Sequence, residues 1–317
     1  MGGFAFHIAA DGQAASVPID EALNGDAALT WVHLLCHAEE AESWLRDAAG
    51  LEPYVVDALT ATETRPRCEK VGEGALLNLR GRSKVELDSS DLLASVRIWA
   101  QAGRVFSVTR SPLYATAEVR GEVEAGDIRD PGDLITAFAT AITEDLDPEV
   151  AQLGDCLDDC EESLDANRVF ELRRQVTHVR VTAISYRRFV APQRQALEKL
   201  ATLPSDWLAD DDRLHLAGAA DRAARMAEEL ESIRERATLV HEALTDLRAE
   251  QIDSRSLLIS AVALIFLPLT FLTGLYGMNV DLPFQHAPWM FDVIAGACVV
   301  IAVGVTAYFV RQHWFRG

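Results

Sequence analysis

From Ser256 to Val280 the chain runs for twenty-five residues without a formal charge, and this run contains the tetrapeptide Tyr276-Gly277-Met278-Asn279. A helix needs roughly 20 apolar residues to cross the hydrocarbon of a bilayer, so Leu257 to Tyr276 is long enough to span one. A second uncharged stretch, Val293 to Val310, follows a short loop and ends close to the C-terminal Gly317. These two stretches restrict the chain to a large polar body followed by two membrane helices. About 255 residues precede the first span, enough for one or two soluble domains of ~100–200 residues each.

Charge narrows the partners. The chain holds 49 Asp and Glu against 29 Lys and Arg, a net charge of −20. Nucleic-acid binding needs a basic face, so no nucleic acid is expected; an acidic body concentrates cations instead. The N-terminus lacks a basic segment followed by an apolar core, so no signal peptide is expected. Arg255 precedes the first span, Arg311 and Arg316 follow the second, and the loop from Gly277 to Asp292 has no Lys or Arg. By the positive-inside tendency both termini are cytoplasmic. Five scattered cysteines (Cys36, Cys68, Cys156, Cys160, Cys298) fit free thiols in a reducing compartment.

Patterning divides the soluble part. Residues 1–128 mix short apolar runs, Phe4–Ala9, Leu29–Leu35, Ala75–Leu79, Ser95–Trp99 and Val105–Thr109, with helical segments Glu39–Ala49 and Pro53–Ala61. They predict an α+β domain. Asp130-Pro131 then opens a helical stalk over 129–253, with Asp130 as N-cap and Pro131 in the first turn. Pro148 to about Leu203 is predicted as one long helix. A second starts near Asp210–Asp212 and runs unbroken into the first span, 254–280. A loop over 281–291, a second span over 292–311 and a tail over 312–317 complete the chain.

The second stalk helix has two distinct sides. Leu216, Ala219, Ala223, Met226, Leu230, Ile233, Ala237, Val240, Leu244 and Leu247 alternate spacings of three and four, a heptad seam. Its simplest partner is the preceding long helix, as an antiparallel hairpin. At ~100° per residue, Glu228, Glu231, Glu235, Glu242 and Asp253 lie on the other side. That side continues as Ser256, Ser260, Ala263, Leu267, Thr270, Gly274 and Met278. An acidic cytoplasmic line thus runs on as a small or hydroxylated membrane face.

Two helices cannot enclose an ion path, and a polar face in the membrane must meet protein or water. A ring of identical subunits, each giving its first span to a central pore, resolves this. Gly277, Met278 and Asn279 then form the outer mouth, where neutral oxygens hydrogen-bond the water shell of a divalent cation without stripping it. Thr270 gives a second polar ring, and Ile259 and Leu267 give apolar constrictions.

Tyr276-Gly277-Met278-Asn279 at the end of a first span, with a second span at the extreme C-terminus, resembles the CorA superfamily of divalent-metal transporters. Phe266-Leu267-Pro268-Leu269-Thr270-Phe271-Leu272-Thr273-Gly274-Leu275 resembles its ZntB zinc-transporter branch. So do Trp31-Val32-His33-Leu34, Thr64-Arg65-Pro66-Arg67, Gly72-Glu73-Gly74 and Arg188-Phe189-Val190-Ala191-Pro192-Gln193-Arg194. The resemblance implies a homopentamer with an α/β/α cytoplasmic domain, long stalk helices and a funnel. It implies Zn2+ transport, with proton coupling proposed, across a bacterial inner membrane. Magnesium-type members carry Met-Pro-Glu after the Asn; here Leu282-Pro283-Phe284 stands instead, and Asp281 replaces a glycine common in the zinc branch. Transport of Mg2+, Co2+ or Ni2+ is the alternative.

No Asp, Glu, His, Lys or Arg lies between Ser256 and Val280, although intramembrane proton relays normally use such residues. Asp253, Asp281, His286 and Asp292 are the flanking candidates, with His286 titrating nearest neutrality. Cys156 and Cys160, one helical turn apart among acidic residues, are a candidate metal pair. His33, Cys36 and His37 sit at the end of a strand and the start of a helix, where a packed strand end is the plainer reading. The sequence has no P-loop, dinucleotide fingerprint, His-Glu-x-x-His or nucleophile elbow, so no enzyme and no bound cofactor are expected. A membrane-anchored ligand sensor or scaffold is the alternative from another class.

Overall fold

The computed structural model describes residues 2–35, 39–62, 65–85, 92–165, 168–278 and 287–314, with the backbone alone for 39 and 312–314. The chain divides into two compact units, residues 1–164 with 170–241, and residues 165–169 with 242–317.

The first unit is built on a seven-stranded sheet: β1 (Gly2–Ile8), β2 (Ala14–Val17), β3 (Leu29–Leu35), β4 (Arg67–Val71), β5 (Gly74–Arg82), β6 (Leu93–Gln101) and β7 (Arg104–Thr109). Their order is β2-β1-β3-β7-β6-β5-β4. Only β3 and β7 pair in parallel, with Trp31 opposite Val105 and Leu35 opposite Thr109. The other neighbours are antiparallel. β2 and β4, which the apolar runs do not predict, are polar edge strands: Ala-Ala-Ser-Val and Arg-Cys-Glu-Lys-Val. An edge strand has little apolar surface to bury, and polar residues there discourage pairing with other chains.

Helices α1 (Glu39–Ser43), extended by a π-helical turn Trp44–Ala48, and α2 (Pro53–Thr60) cover one face of the sheet. Leu45, Val55, Val56 and Leu59 pack there with Val32, Leu34, Phe106 and Val108. Helices α3 (Tyr114–Ala125) and α4 (Pro131–Glu162) cover the other, where Trp31 meets Phe138 edge to face at 5.8 Å. The result is the expected α/β/α arrangement.

α4 begins as the sequence predicts. Asp130 accepts a 3.0 Å hydrogen bond from the Asp133 N–H, and Pro131 occupies the first turn. The single helix expected from Pro148 to Leu203 is not formed. α4 passes through Pro148 and ends at Glu162, and α5 (Val169–Ala201) follows. Pro148 is exposed, so the carbonyl its ring frees can bond water, which makes an interior proline tolerable. At the break the Ser163 hydroxyl donates to the Asp159 carbonyl at 2.7 Å. Ser163 and Asp165, both turn-favouring residue types, are the signal for it.

α6 (Asp210–Tyr276) is one helix of 67 residues, and α7 (Met290–Trp314) closes the described chain. Every seam residue from Leu216 to Leu244 is buried. The seam faces two helices. Arg222 donates to the Thr143 hydroxyl at 2.9 Å and pairs with Glu144 at 3.0 Å. Further along, Arg236 pairs with Asp158 and Glu161. The near-constant residue offset makes α4 parallel to α6. Arg187 of α5 pairs with Glu231 at 2.9 Å, and Arg213 reaches the carbonyls of Ala201 and Leu203, so α5 is antiparallel. The expected hairpin is therefore a three-helix layer.

The N-termini of α4 and α6 meet at Asp130, Asp133 and Asp212, whose carboxylate oxygens lie within 4.8 Å of one another. Each serves a helix start: Asp130 as above, Asp133 accepting from the Arg129 N–H at 2.9 Å, and Asp212 from the Ala209 N–H at 2.8 Å. Burial, then the charges of Asp130, Asp133 and Asp211, push the Asp212 carboxyl up to about 6. The folded chain thus binds more protons than the unfolded one between about pH 4 and 6, and this group's contribution to stability falls as pH rises through that window. Asp212→Asn keeps an oxygen for Ala209 and removes the charge. Its melting temperature should exceed that of the parent at pH 7.5, with the gap closing by pH 4.

Candidate ion pathway

In the second compact unit, α6 beyond Glu242 and α7 each carry one half-buried stripe. On α6 it comprises Ala261, Ile265, Pro268, Leu272 and Tyr276. On α7 it comprises Ile294, Cys298, Ile301, Val305 and Phe309. Both helices are long and apolar enough to cross a membrane. The residues predicted to line a pore fall on the opposite side of α6. Ser256, Ile259, Ser260, Ala263, Leu267, Thr270 and Gly274 are all exposed, as are Gly277 and Met278 past the helix end. Leu267 is 74% exposed and Ile259 67%, the state of side chains that only another molecule or lipid can cover.

Hydroxyls on this surface bond backward. Thr270 donates to the Phe266 carbonyl at 2.8 Å and the Leu267 carbonyl at 3.0 Å. Thr273 donates to the Leu269 carbonyl at 2.9 Å. Each hydroxyl hydrogen is thereby occupied by the helix, and the oxygen lone pairs remain as acceptors. An acceptor-rich face suits a cation's water shell better than an anion's. Gly277 donates its N–H to the Thr273 carbonyl at 2.9 Å, the last bond of the helix. Asn279, Asp281 and His286 lie outside the described residues, as do Cys36 and His37.

The acidic line divides. Glu231 is shared by Arg187 and Arg234, so its charge is already neutralised in place. Glu228, Glu235, Glu242 and Asp253 are exposed, and Asp292 is exposed in the first turn of α7. Cys160 is buried and directs its thiol at Gln175 Oε1, 3.6 Å away on α5, while Cys156 is half-buried. The structure brings Cys160 to the α4–α5 contact.

His33 is a packed core histidine. Nδ1 meets the Ser107 hydroxyl at 2.8 Å and Nε2 the Thr109 hydroxyl at 3.3 Å. Its ring stacks on Phe4 at 4.9 Å. Burial pushes it down to about 4. The unfolded chain takes up this proton near 6.5 and the folded chain only near 4, so stability is lost as pH falls between them. The loss should be on the order of 3 kcal/mol. Urea titrations of the full-length protein from pH 7 to 4 should show it, and His33→Gln, which still serves both hydroxyls, should lack it.

A family model described as the CorA-like Mg2+ transporter protein matches residues 26–311. The chain belongs to the CorA family. It is 33% identical to the divalent cation transporter CmaX of Pseudomonas aeruginosa, over 90% of this chain and 87% of that one. It is 29% identical to the zinc transport protein ZntB of Pectobacterium atrosepticum, over 96% and 94%. Among solved structures, full-length CmaX superposes with a TM-score of 0.77 at 28% identity, covering 96% of this chain and 98% of that one. The CorA magnesium transporter of Methanocaldococcus jannaschii superposes at 0.80 and 17% identity, covering 98% of each, a likeness of fold. Family membership gives the exposed face of α6 its context: members of this family are divalent cation transporters.

Proposed function

We propose that this CorA-family protein carries divalent cations across a membrane, Zn2+ foremost, through a pore lined by the first span of several copies. The observation that carries the reading is the two-sidedness of α6 in its membrane part. A half-buried apolar stripe is set against an exposed line of Ser, Ala, Thr and Gly leading to Gly277-Met278-Asn279. Lipid offers no donor to the oxygen lone pairs left on that line; a ring that turns them onto a water-filled path does.

In this reading the subunits form a homopentamer in a bacterial inner membrane, with both termini cytoplasmic. Asn279 holds the hydrated ion at the outer mouth through water. Thr270 oxygens form a second ring, and Ile259 and Leu267 are the dewetting constrictions. Glu228, Glu235, Glu242 and Asp253 draw cations on the cytoplasmic side, and Asp281 and Asp292 on the other. Zn2+ is favoured by Leu282-Pro283-Phe284 after the Asn and by the relative named as a zinc transport protein. A Mg2+, Co2+ or Ni2+ channel is the competing reading, supported by the family description.

Purified protein in liposomes loaded with a metal-sensitive dye tests this. Zn2+ should enter faster than Mg2+, Co2+ or Ni2+, and Asn279→Ala should slow it by about tenfold or more, the effect of ~1.4 kcal/mol on the barrier. Flux of Mg2+ ahead of Zn2+ would select the competing channel, and absence of any metal flux would return the chain to a sensor or scaffold role. Because the first span holds no titratable carboxylate or histidine, His286→Ala should shift the pH profile of flux modestly; complete loss of pH dependence would place the proton path at His286.

A further inference from the structure

α4 and α5 both pack on the seam of α6, and the Cys160 thiol meets Gln175 where they touch each other. Their remaining faces therefore diverge, and the two faces differ in charge. α4 holds ten Asp and Glu and no Lys or Arg, whereas α5 holds seven Lys and Arg against two Glu.

Much of this charge is used within the chain. Arg82 pairs with Asp145 and Glu149, Arg222 with Glu144, Arg236 with Asp158 and Glu161, and Arg187 with Glu231. What is left is sorted by helix. On the outer face of α4, Gln152, Asp155, Asp159 and Glu162 are exposed at spacings of three and four. These three acids have no ion pair among the described residues, and Asp159 and Glu162 stand in a last turn that holds no basic residue. Acids there oppose the helix dipole, so a cation from outside would relieve them. On the outer face of α5, Phe170, Arg174, Thr177, Val181, Ile184 and Arg188 are exposed at the same alternating spacings. Arg174 also has no ion pair among the described residues. Phe170 is 89% exposed, Val181 60% and Ile184 46%. A single exposed apolar residue is ordinary on a protein surface. Three on one heptad line are the pattern of a helix that packs a second time, on the side away from its own core.

We propose that the outer face of α5 docks on the outer face of α4 in the next copy of this chain. The proposal rests on the reading that several copies form a ring, and it names the surfaces that close it. Charge decides the arrangement. A two-fold contact centred on either face sets acids against acids or bases against bases, which repel. α5 against α4 sets opposite charges together, head to tail, and head-to-tail contacts close into rings. Equal levels of neighbouring copies then lie side by side. By the register of Arg187 on Glu231 and of Arg236 on Asp158, Val181 stands level with Asp159 and Arg188 level with Gln152. Arg174 stands about one turn beyond Glu162, within the joint reach of two long side chains. The exposed side of α6 takes no part in this contact and stays available to the pore.

Light scattering of the full-length protein in detergent decides it. The parent should have the mass of a closed ring of three or more chains. Arg174→Glu/Val181→Glu, which makes the α5 face acidic, should need at least about tenfold more protein to assemble. Asp159→Lys/Glu162→Lys, which makes the α4 face basic, should do the same. All four changes in one chain exchange the two signs and should restore assembly, which separates loss of the contact from loss of the fold. A parent of one or two chains would overturn the ring and the contact together. A parent ring whose assembly is unchanged in both single-face variants would overturn the contact alone, as would failure of the combined variant to assemble. Mass is read without reference to metal flux, so the contact and the transport reading fail separately.

Discussion

Burial of one apolar seam along α6 is the constraint on which the first compact unit depends. A helix of 67 residues has no core of its own, and its stability comes from packing of its apolar side. Leu216, Met226, Leu230, Ile233 and Leu244 are almost completely removed from water, each worth roughly 1.5–3 kcal/mol before entropy is counted. α4 and α5 supply the surfaces, one parallel and one antiparallel to α6. The Arg222 and Arg236 contacts keep α4 in register. These ion pairs are partly exposed and contribute specificity more than stability.

The seam also explains why the opposite side of α6 is available for other work. Residues that do not have to be buried against α4 and α5 are free to be acidic over one stretch and small or hydroxylated over another. In the membrane part, the threonine hydroxyls donate to their own helix. They therefore tolerate an apolar surrounding and still offer oxygen to water or a hydrated cation. In the proposed pore, dense charge is absent where an ion has to leave as readily as it enters, which conduction requires. In the same proposal the acidic residues outside the span raise local cation concentration without holding the ion tightly.

Much of this was legible in the amino-acid order because it is local or periodic. The two spans follow from uninterrupted apolar length, the seam from its heptad spacing, and the start of α4 from Asp130-Pro131. The central strands β3, β5, β6 and β7 announced themselves as apolar runs. What the order hid was what depends on partners far along the chain. The break at Ser163 was masked by helix-forming residues on both sides and by Pro148, which reads as a helix start and sits instead on an exposed face. Edge strands β2 and β4 lack apolar patterning because they bury little. Glu231 looked like any acid on the outer line until Arg187 of α5 was found against it. Nor does the order show that the Cys160 thiol meets Gln175 of α5.

By itself, then, the sequence determined the membrane spans, the side of α6 that must be covered and the side that must not, and the family to which the chain belongs. Those properties depend on solvent preference summed over neighbouring residues, and solvent preference needs no knowledge of the fold. Tertiary structure alone decided that α6 packs between a parallel and an antiparallel helix and that three helix-capping aspartates converge at one point. It also decided that His33 is buried against Ser107 and Thr109. Each of these joins residues from dozens to more than a hundred positions apart, so its energy comes from a distance that only the folded chain sets.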